Sequence, residues 1–208
     1  MKTIIPLISA LVVFCSASIT VFAATVPLQT GQTTCFKPDG SAFPCAGTGQ
    51  DGELQKGTPW PDPRFTDNGD GTITDNLTGL IWAQNMKSPG FIDGFAALNC
   101  TKSGLQVTWQ EALDHVKCIN TFSYLGFSDW RLPTAVELAS VVNYGVADQR
   151  AGLVSAGFIS FGFSYWSATT RVDSATEAYA LNRLGGNITT IYKGYNDTIY
   201  AWPVRGNQ

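Results

Sequence analysis

The cysteines of this chain, and the segment ahead of them, bound its fold more tightly than any other feature. The first residues read as a secretory signal: Lys2 gives a positive start, Ile4 to Phe14 is an apolar run broken only by Pro6 and Ser9, and Val21-Phe22-Ala23 is a small-residue cleavage site. Cleavage is expected after Ala23, with Ala24 the next choice. Cys15 leaves with the signal, because Phe14 stands where a lipidation motif needs a small residue. The apolar run falls short of the ~20 residues a spanning helix needs, and no later stretch approaches it, so no membrane insertion is expected. Export carries Cys35, Cys45, Cys100 and Cys118 into an oxidising compartment, where an even count favours disulfides over free thiols. Four cysteines permit three connectivities, and loop locality favours Cys35–Cys45 and Cys100–Cys118. With no Cys-x-x-Cys spacing and a single His, zinc is not expected.

Removing 23 of 208 residues leaves 185, enough for one good core but not comfortably for two domains. The expected organisation is a signal peptide over 1–23, an N-terminal arm over 24–63 and one domain over 64–208. Loss of Lys2 leaves 12 basic against 16 acidic residues, and the basic ones form no run. Nucleic acid is therefore not an expected partner, since phosphate contacts need a basic face. The arm is rich in Gly, Thr, Pro and Gln, shows no helical or strand period, and reads as extended, pinned by the Cys35–Cys45 loop and laid against the domain through Trp60.

From Arg64 the pattern becomes regular. Phe65-Thr66, Asn68-Gly69-Asp70-Gly71 and Thr72-Ile73-Thr74 read as strand, tight turn, strand, because Asn-Gly and Asp-Gly supply the positive φ of hairpin turns. A second turn, Asp75 to Gly79, leads into Leu80-Ile81-Trp82. Two helices are announced by capping boxes: Thr108-Trp109-Gln110-Glu111, running to about Asn120, and Thr134-Ala135-Val136-Glu137, running to about Tyr144 and stopped by Gly145. The first carries Trp109, Ala112, Leu113, Val116 and Cys118 or Ile119 as its buried stripe. Beyond Gly162, four β-prone runs (Tyr165 to Thr169, Ala178 to Leu181, Ile188 to Tyr192, Ile199 to Val204) alternate with turns and suggest an antiparallel meander. The fold class expected is α+β: a hairpin, two helices, then an antiparallel sheet.

Arg64-Phe65 with Asp67-Asn68-Gly69-Asp70-Gly71-Thr72, and Asp75-Asn76-Leu77-Thr78-Gly79-Leu80-Ile81-Trp82, resemble the opening of the Lcl C-terminal domain family. Three later blocks are similar to it: Thr108 to Leu113, Asp129-Trp130-Arg131-Leu132-Pro133-Thr134 with Glu137-Leu138, and Tyr165-Trp166-Ser167-Ala168-Thr169-Thr170. Order and spacing agree over about residues 64–206. The resemblance implies a bacterial, exported domain of C-type-lectin-like fold, found in surface proteins and adhesins, and implies no activity. The family usually ends in Val-Arg-Cys-Val-Arg, whereas this chain reads Trp202-Pro203-Val204-Arg205-Gly206, so a disulfide to the last strand is not carried over.

Groups for catalysis are sparse. His115, the single His, falls inside the first helix with no evident partner and reads as a surface or half-buried structural residue. No nucleophile elbow, His-Glu-x-x-His or phosphate-cradling Gly loop occurs, so the chain is not expected to be an enzyme. A formylglycine-generating type of activity would need reactive thiols, and these cysteines read as bridged. Asp67, Asp70, Thr72 and Asp75 gather oxygens as a calcium loop would, but the third position from Asp67 is Gly69 and the twelfth Thr78, against the EF-hand pattern. A turn in which Asx side chains bond their own backbone explains the same residues and is preferred; calcium is the one cofactor left open. Trp82, Trp109, Trp130 and Trp166 read as core, and Arg131 as an ion-pair partner of Glu137 or Asp129 at the helix start.

The residues with binding chemistry lie near the C-terminus: Tyr179, Asn182, Arg183, Asn187, Tyr192, Tyr195, Asn196, Asp197 and Tyr200. Tyr and Asn on turns offer large contact area and adaptable hydrogen bonds, although an antiparallel sheet uses the same residues on a wet face. The expectation is a secreted or surface-displayed binding module, with the periplasm as another destination, recognising a protein or glycan without covalent chemistry. The alternative is a structural protein using that face for homo-oligomer contacts, and a third, weaker one is an enzyme of the formylglycine-generating type.

Overall fold

The computed structural model describes residues 27–87, 100, 106–182 and 186–206; the signal-like segment lies outside them. The arm folds on itself more than its composition suggests. β1 (Cys35–Phe36) and β2 (Ala42–Phe43) pair antiparallel, and α1 (Asp51–Leu54) forms a single helical turn. Polar side chains do the work that a core cannot. Glu53 accepts from the N–H groups of Gly47 and Gly49, and Gln50 both accepts from Phe36 N–H and donates to Phe36 C=O. The Cys35–Cys45 disulfide closes this ribbon with a Cα–Cα distance of 5.2 Å, and Cys100–Cys118 forms the second bridge at 5.5 Å. Both are the local pairs expected.

β3 (Phe65–Asp67), β4 (Thr72–Asp75) and β5 (Ile81–Ala83) form the predicted hairpin and its continuation. The turn is fixed by its own side chains: Asp67 accepts from Gly69 N–H, and Asp70 from the N–H and hydroxyl of Thr72. α2 (Trp109–Thr121) starts at a complete capping box on Thr108 and Glu111. Its buried side is Ala112, His115, Val116 and Ile119, so His115 is a core residue rather than a surface one, with Nδ1 2.8 Å from Cys100 O. α3 (Ala135–Ser140) has the second box, on Thr134 and Glu137, but ends four residues earlier than the sequence suggests. Past Ser140 the backbone turns away, and Tyr144 N–H bonds Thr30 C=O of the arm instead of continuing the helix. A further helix, α4 (Gln149–Ser155), was not expected; Asp148 caps it through Arg150 and Ala151 N–H.

β6 (Ser164–Thr170), β7 (Glu177–Asn182) and β8 (Asn187–Tyr192) are the antiparallel meander. The last run departs from it. Ile199 to Val204 is not one strand but two, β9 (Ile199–Tyr200) and β10 (Val204–Arg205), separated at Pro203, which has no N–H to continue a ladder. β9 joins β6 in parallel, giving the mixed order β8-β7-β6-β9, and β10 pairs with β5 to complete the order β10-β5-β4-β3. The chain end thus ties the two sheets together. Trp202 sits at this joint, fully buried, with its ring 4.4 Å from Trp82 and its Nε1–H donated to Ala83 C=O. Trp130 and Trp166 are buried as well and Trp109 partly so, each with its indole N–H on a backbone carbonyl, as the core assignment requires. Among the described residues no helix is long and apolar enough to cross a membrane.

Candidate functional site

Strand alternation divides the C-terminal candidates. Glu177 pairs with Tyr192 and Tyr179 with Thr190, which puts Tyr179 and Tyr192 on one face of the sheet. Asn182 and Asn187, opposite each other at the far end of the hairpin, fall on the other face. Tyr192 is 63% exposed, and Tyr195, Asn196 and Asp197 extend the exposed surface into the turn that follows. Tyr200 belongs to the core, at 6% exposure against Gly162 and Tyr165, and is removed from the candidate surface. Burial follows from its position on β9, between β6 and the N-terminal flank of α2, where Ile199 C=O accepts from Val107 N–H. Arg183 lies outside the described residues.

The turn after β8 is anchored. Lys193 lies 4.0 Å over the Trp109 ring and donates to Thr170 Oγ1, while its backbone N–H bonds Thr176 C=O and its C=O accepts from Trp109 N–H. Tyr192 and Tyr195 are therefore presented from a fixed base. β8 itself is an edge: among the described residues its only partner is β7. Its six residues, Asn187 to Tyr192, include no charge and no proline.

The oxygen cluster of the β3–β4 turn is already engaged. Asp75 is fully buried in a two-pronged pair with Arg64, with Nε–Oδ1 at 2.7 Å and Nη2–Oδ2 at 2.8 Å, and it also receives Leu77 N–H and the Thr78 hydroxyl. Asp67 takes Gln84 Nε2 besides its own turn, and Asp70 is satisfied by Thr72. Among the described residues no group of three or more His, Cys, Asp or Glu could hold a metal ion. Arg131 pairs with Glu137 as expected, and Asp129 is taken by Arg205 at 2.7 Å. The Arg205 hydrogen bond holds the Asp129 carboxyl below the usual aspartate range.

A second candidate was invisible in the sequence. A cavity of about 280 Å³ lies between Trp60 and Phe65 on one side and Val141, Gly152, Leu153 and Ala156 on the other. Arg64 lines it, with its guanidinium carbon 4.3 Å from the Trp60 ring centre and 4.9 Å from that of Phe65. Nε and Nη2 are used on Asp75, and Nη2 also on Ser140 C=O, while Nη1 is buried without a hydrogen-bond partner. The cavity joins residues some 90 positions apart, and its far wall is the unexpected α4. The unmatched hydrogen-bonding group of Arg64 is a property of the packed structure, with no local sequence signal.

The chain folds as an α+β domain with two disulfides and two four-stranded sheets joined at Trp202. The Lcl C-terminal domain family matches residues 71–205, and the chain belongs to that family. No curated protein matches the chain.

Proposed function

We propose that this is a secreted or surface-displayed bacterial binding module of C-type-lectin-like fold, which recognises a protein or glycan through β8 and the turn after it, without covalent chemistry. The supporting observation is the β8 edge. Sheet edges that must stay unpaired are kept short, charged or interrupted by proline, and β8 is six residues long with neither safeguard. An edge of this kind supports main-chain pairing with an extended partner, while Tyr192 and Tyr195 add side-chain contact area. Two disulfides fit the oxidising surroundings of an exported protein.

The test is binding of the purified protein to glycan and peptide arrays, compared with Tyr192→Ala/Tyr195→Ala and with Thr190→Lys. Retained circular dichroism with at least tenfold weaker capture by both variants supports the reading. Hits that survive both variants overturn it. A homo-oligomer through the same edge is the second reading, favoured by the strand being uncharged. Antiparallel pairing about a two-fold axis between Thr189 and Thr190 sets Ile188 against Ile191 without like-charge repulsion. It predicts a concentration-dependent molecular mass that Thr190→Lys abolishes.

A further inference from the structure

We propose that β8 recognises an extended polypeptide segment, through main-chain hydrogen bonds centred on Ile188 and Thr190. The inference rests on the reading of β8 as the binding edge and narrows its ligand to a peptide. The register fixes which way each main-chain group points, because residues paired in an antiparallel ladder exchange bonds only at every second position. Lys193 N–H bonds Thr176 C=O, one step beyond the Tyr192–Glu177 pair, so Thr176, Ala178, Ala180 and Asn182 turn their groups towards β8. From the other side, Arg171 N–H bonds Glu177 C=O and the Ser167 hydroxyl bonds Tyr179 C=O, which gives Glu177 and Tyr179 to β6. Both observations yield the same alternation. On β8, therefore, Asn187, Thr189 and Ile191 bond β7, while Ile188, Thr190 and Tyr192 turn outward.

Among the described residues no strand meets these outward groups, and all three residues are at least partly exposed. Tyr192 C=O accepts from Tyr195 N–H and closes the edge at that end. The Thr190 hydroxyl is engaged by the Glu177 carboxylate, so what Thr190 offers a partner is its backbone. Ile188 and Thr190 each present a donor and an acceptor side by side, and the set repeats every two residues, about 6.8 Å. A second extended backbone carries the same pair at the same repeat and matches it group for group, whereas the hydroxyls of a glycan are spaced by its rings. The other edges offer less: β3 is three residues long and ends on Asp67, and β9 and β10 have two residues each. Tyr192, on the same face as Ile188 and Thr190 and 63% exposed, adds a cross-strand side-chain contact. With no charge on β8, the segment that suits it is β-prone and uncharged over its central residues.

The test selects the purified protein against a displayed library of random dodecapeptides. The enriched peptide is then synthesised in two forms, each N-methylated at one of its two alternating sets of amides. One set faces β8 and the other faces away, so one form should lose binding at least tenfold and the other keep it. Amide exchange followed by NMR should find Ile188 and Thr190 faster than Thr189 and Ile191 in the free protein, and at least tenfold slower once peptide saturates it. Thr190→Pro removes an N–H that β7 does not use, the one place an edge strand tolerates proline, and should keep its circular dichroism while weakening capture at least tenfold. No enriched peptide, equal weakening by both N-methylated forms, slow exchange of Ile188 and Thr190 in the free protein, or no protection on binding each overturn the proposal. Glycan capture that Tyr192→Ala/Tyr195→Ala and Thr190→Lys abolish would leave β8 the binding edge and overturn only the assignment of a peptide. Protection of Ile188 and Thr190 that rises with protein concentration alone would give the edge to a second copy and overturn that assignment too.

Discussion

Arg131 and Glu137 meet at the start of α3 in a two-pronged ion pair, Nη1–Oε2 at 2.8 Å and Nη2–Oε1 at 2.6 Å, and the same carboxylate accepts Thr134 N–H at 2.7 Å. Helix cap and ion pair are one device. Burial pushes the Glu137 carboxyl up, but the bonds from Arg131 and Thr134 outweigh it and hold the group below the usual glutamate range. A depressed carboxylate contributes stability above its unfolded value of about 4.3, and that contribution is lost as pH falls through the folded value. Urea-unfolding free energy should therefore decline below pH ~4.3. Glu137→Gln should be less stable at pH 7 and show a flatter acid limb. An acid limb unchanged in Glu137→Gln would remove Glu137 from the explanation.

Arg64 and Asp75 pose a different case, because their side chains are only 7% and 0% exposed. Removing one member strands the other in the core, which costs about 3–5 kcal/mol in buried pairs. Asp75→Ala also releases Leu77 N–H and the Thr78 hydroxyl. We expect a loss of about 3–5 kcal/mol in urea unfolding. A loss under ~1 kcal/mol, the range of exposed pairs, would mean that water reaches the site.

These two pairs also mark the limit of the sequence. Both capping boxes, the Asn-Gly-Asp-Gly hairpin and the local disulfides were legible because each is decided within a few residues by side chain-to-backbone bonds or loop closure. α4 was not, because its box position holds Ala151 instead of Glu and Gly152 interrupts its pattern. The split of Ile199 to Val204 was not, because two sheets compete for one run and Pro203 divides it. Arg131 could be matched to Glu137 within one helix start, whereas the Arg64 cavity needs α4 brought to β3 by the whole fold.

The disulfides should act on different parts of the molecule. Cys100–Cys118 fastens the middle of the domain to α2, and closing a loop of 18 residues contributes about 3 kcal/mol in the chain-entropy picture. Cys100→Ser/Cys118→Ser should lower unfolding free energy by about that amount. Cys35→Ser/Cys45→Ser should leave the main transition nearly unchanged and expose the arm to protease. Thiol labelling of the wild type should find none of these four cysteines reactive; labelling of any one would contradict the pairing.

The arm is held by a close backbone approach that only glycine permits. A Cβ on Gly145 would collide with the Gly31 carbonyl oxygen, and one on Gly31, at φ +81°, would meet both a strained backbone and Asn143. Next to this contact, Tyr144 N–H donates to Thr30 C=O at 2.9 Å, and Trp60 Nε1–H to Gln29 C=O at 2.8 Å. Gly145→Ala should therefore lift residues 28–31 away and loosen Trp60 from Arg64, while the sheets around Trp202, which pair with no strand of the arm among the described residues, stay folded. Limited proteolysis should cut within residues 27–60 much faster than in the wild type and leave 71–205 protected. Equal proteolysis of wild type and Gly145→Ala would show that the arm is held by contacts other than this one.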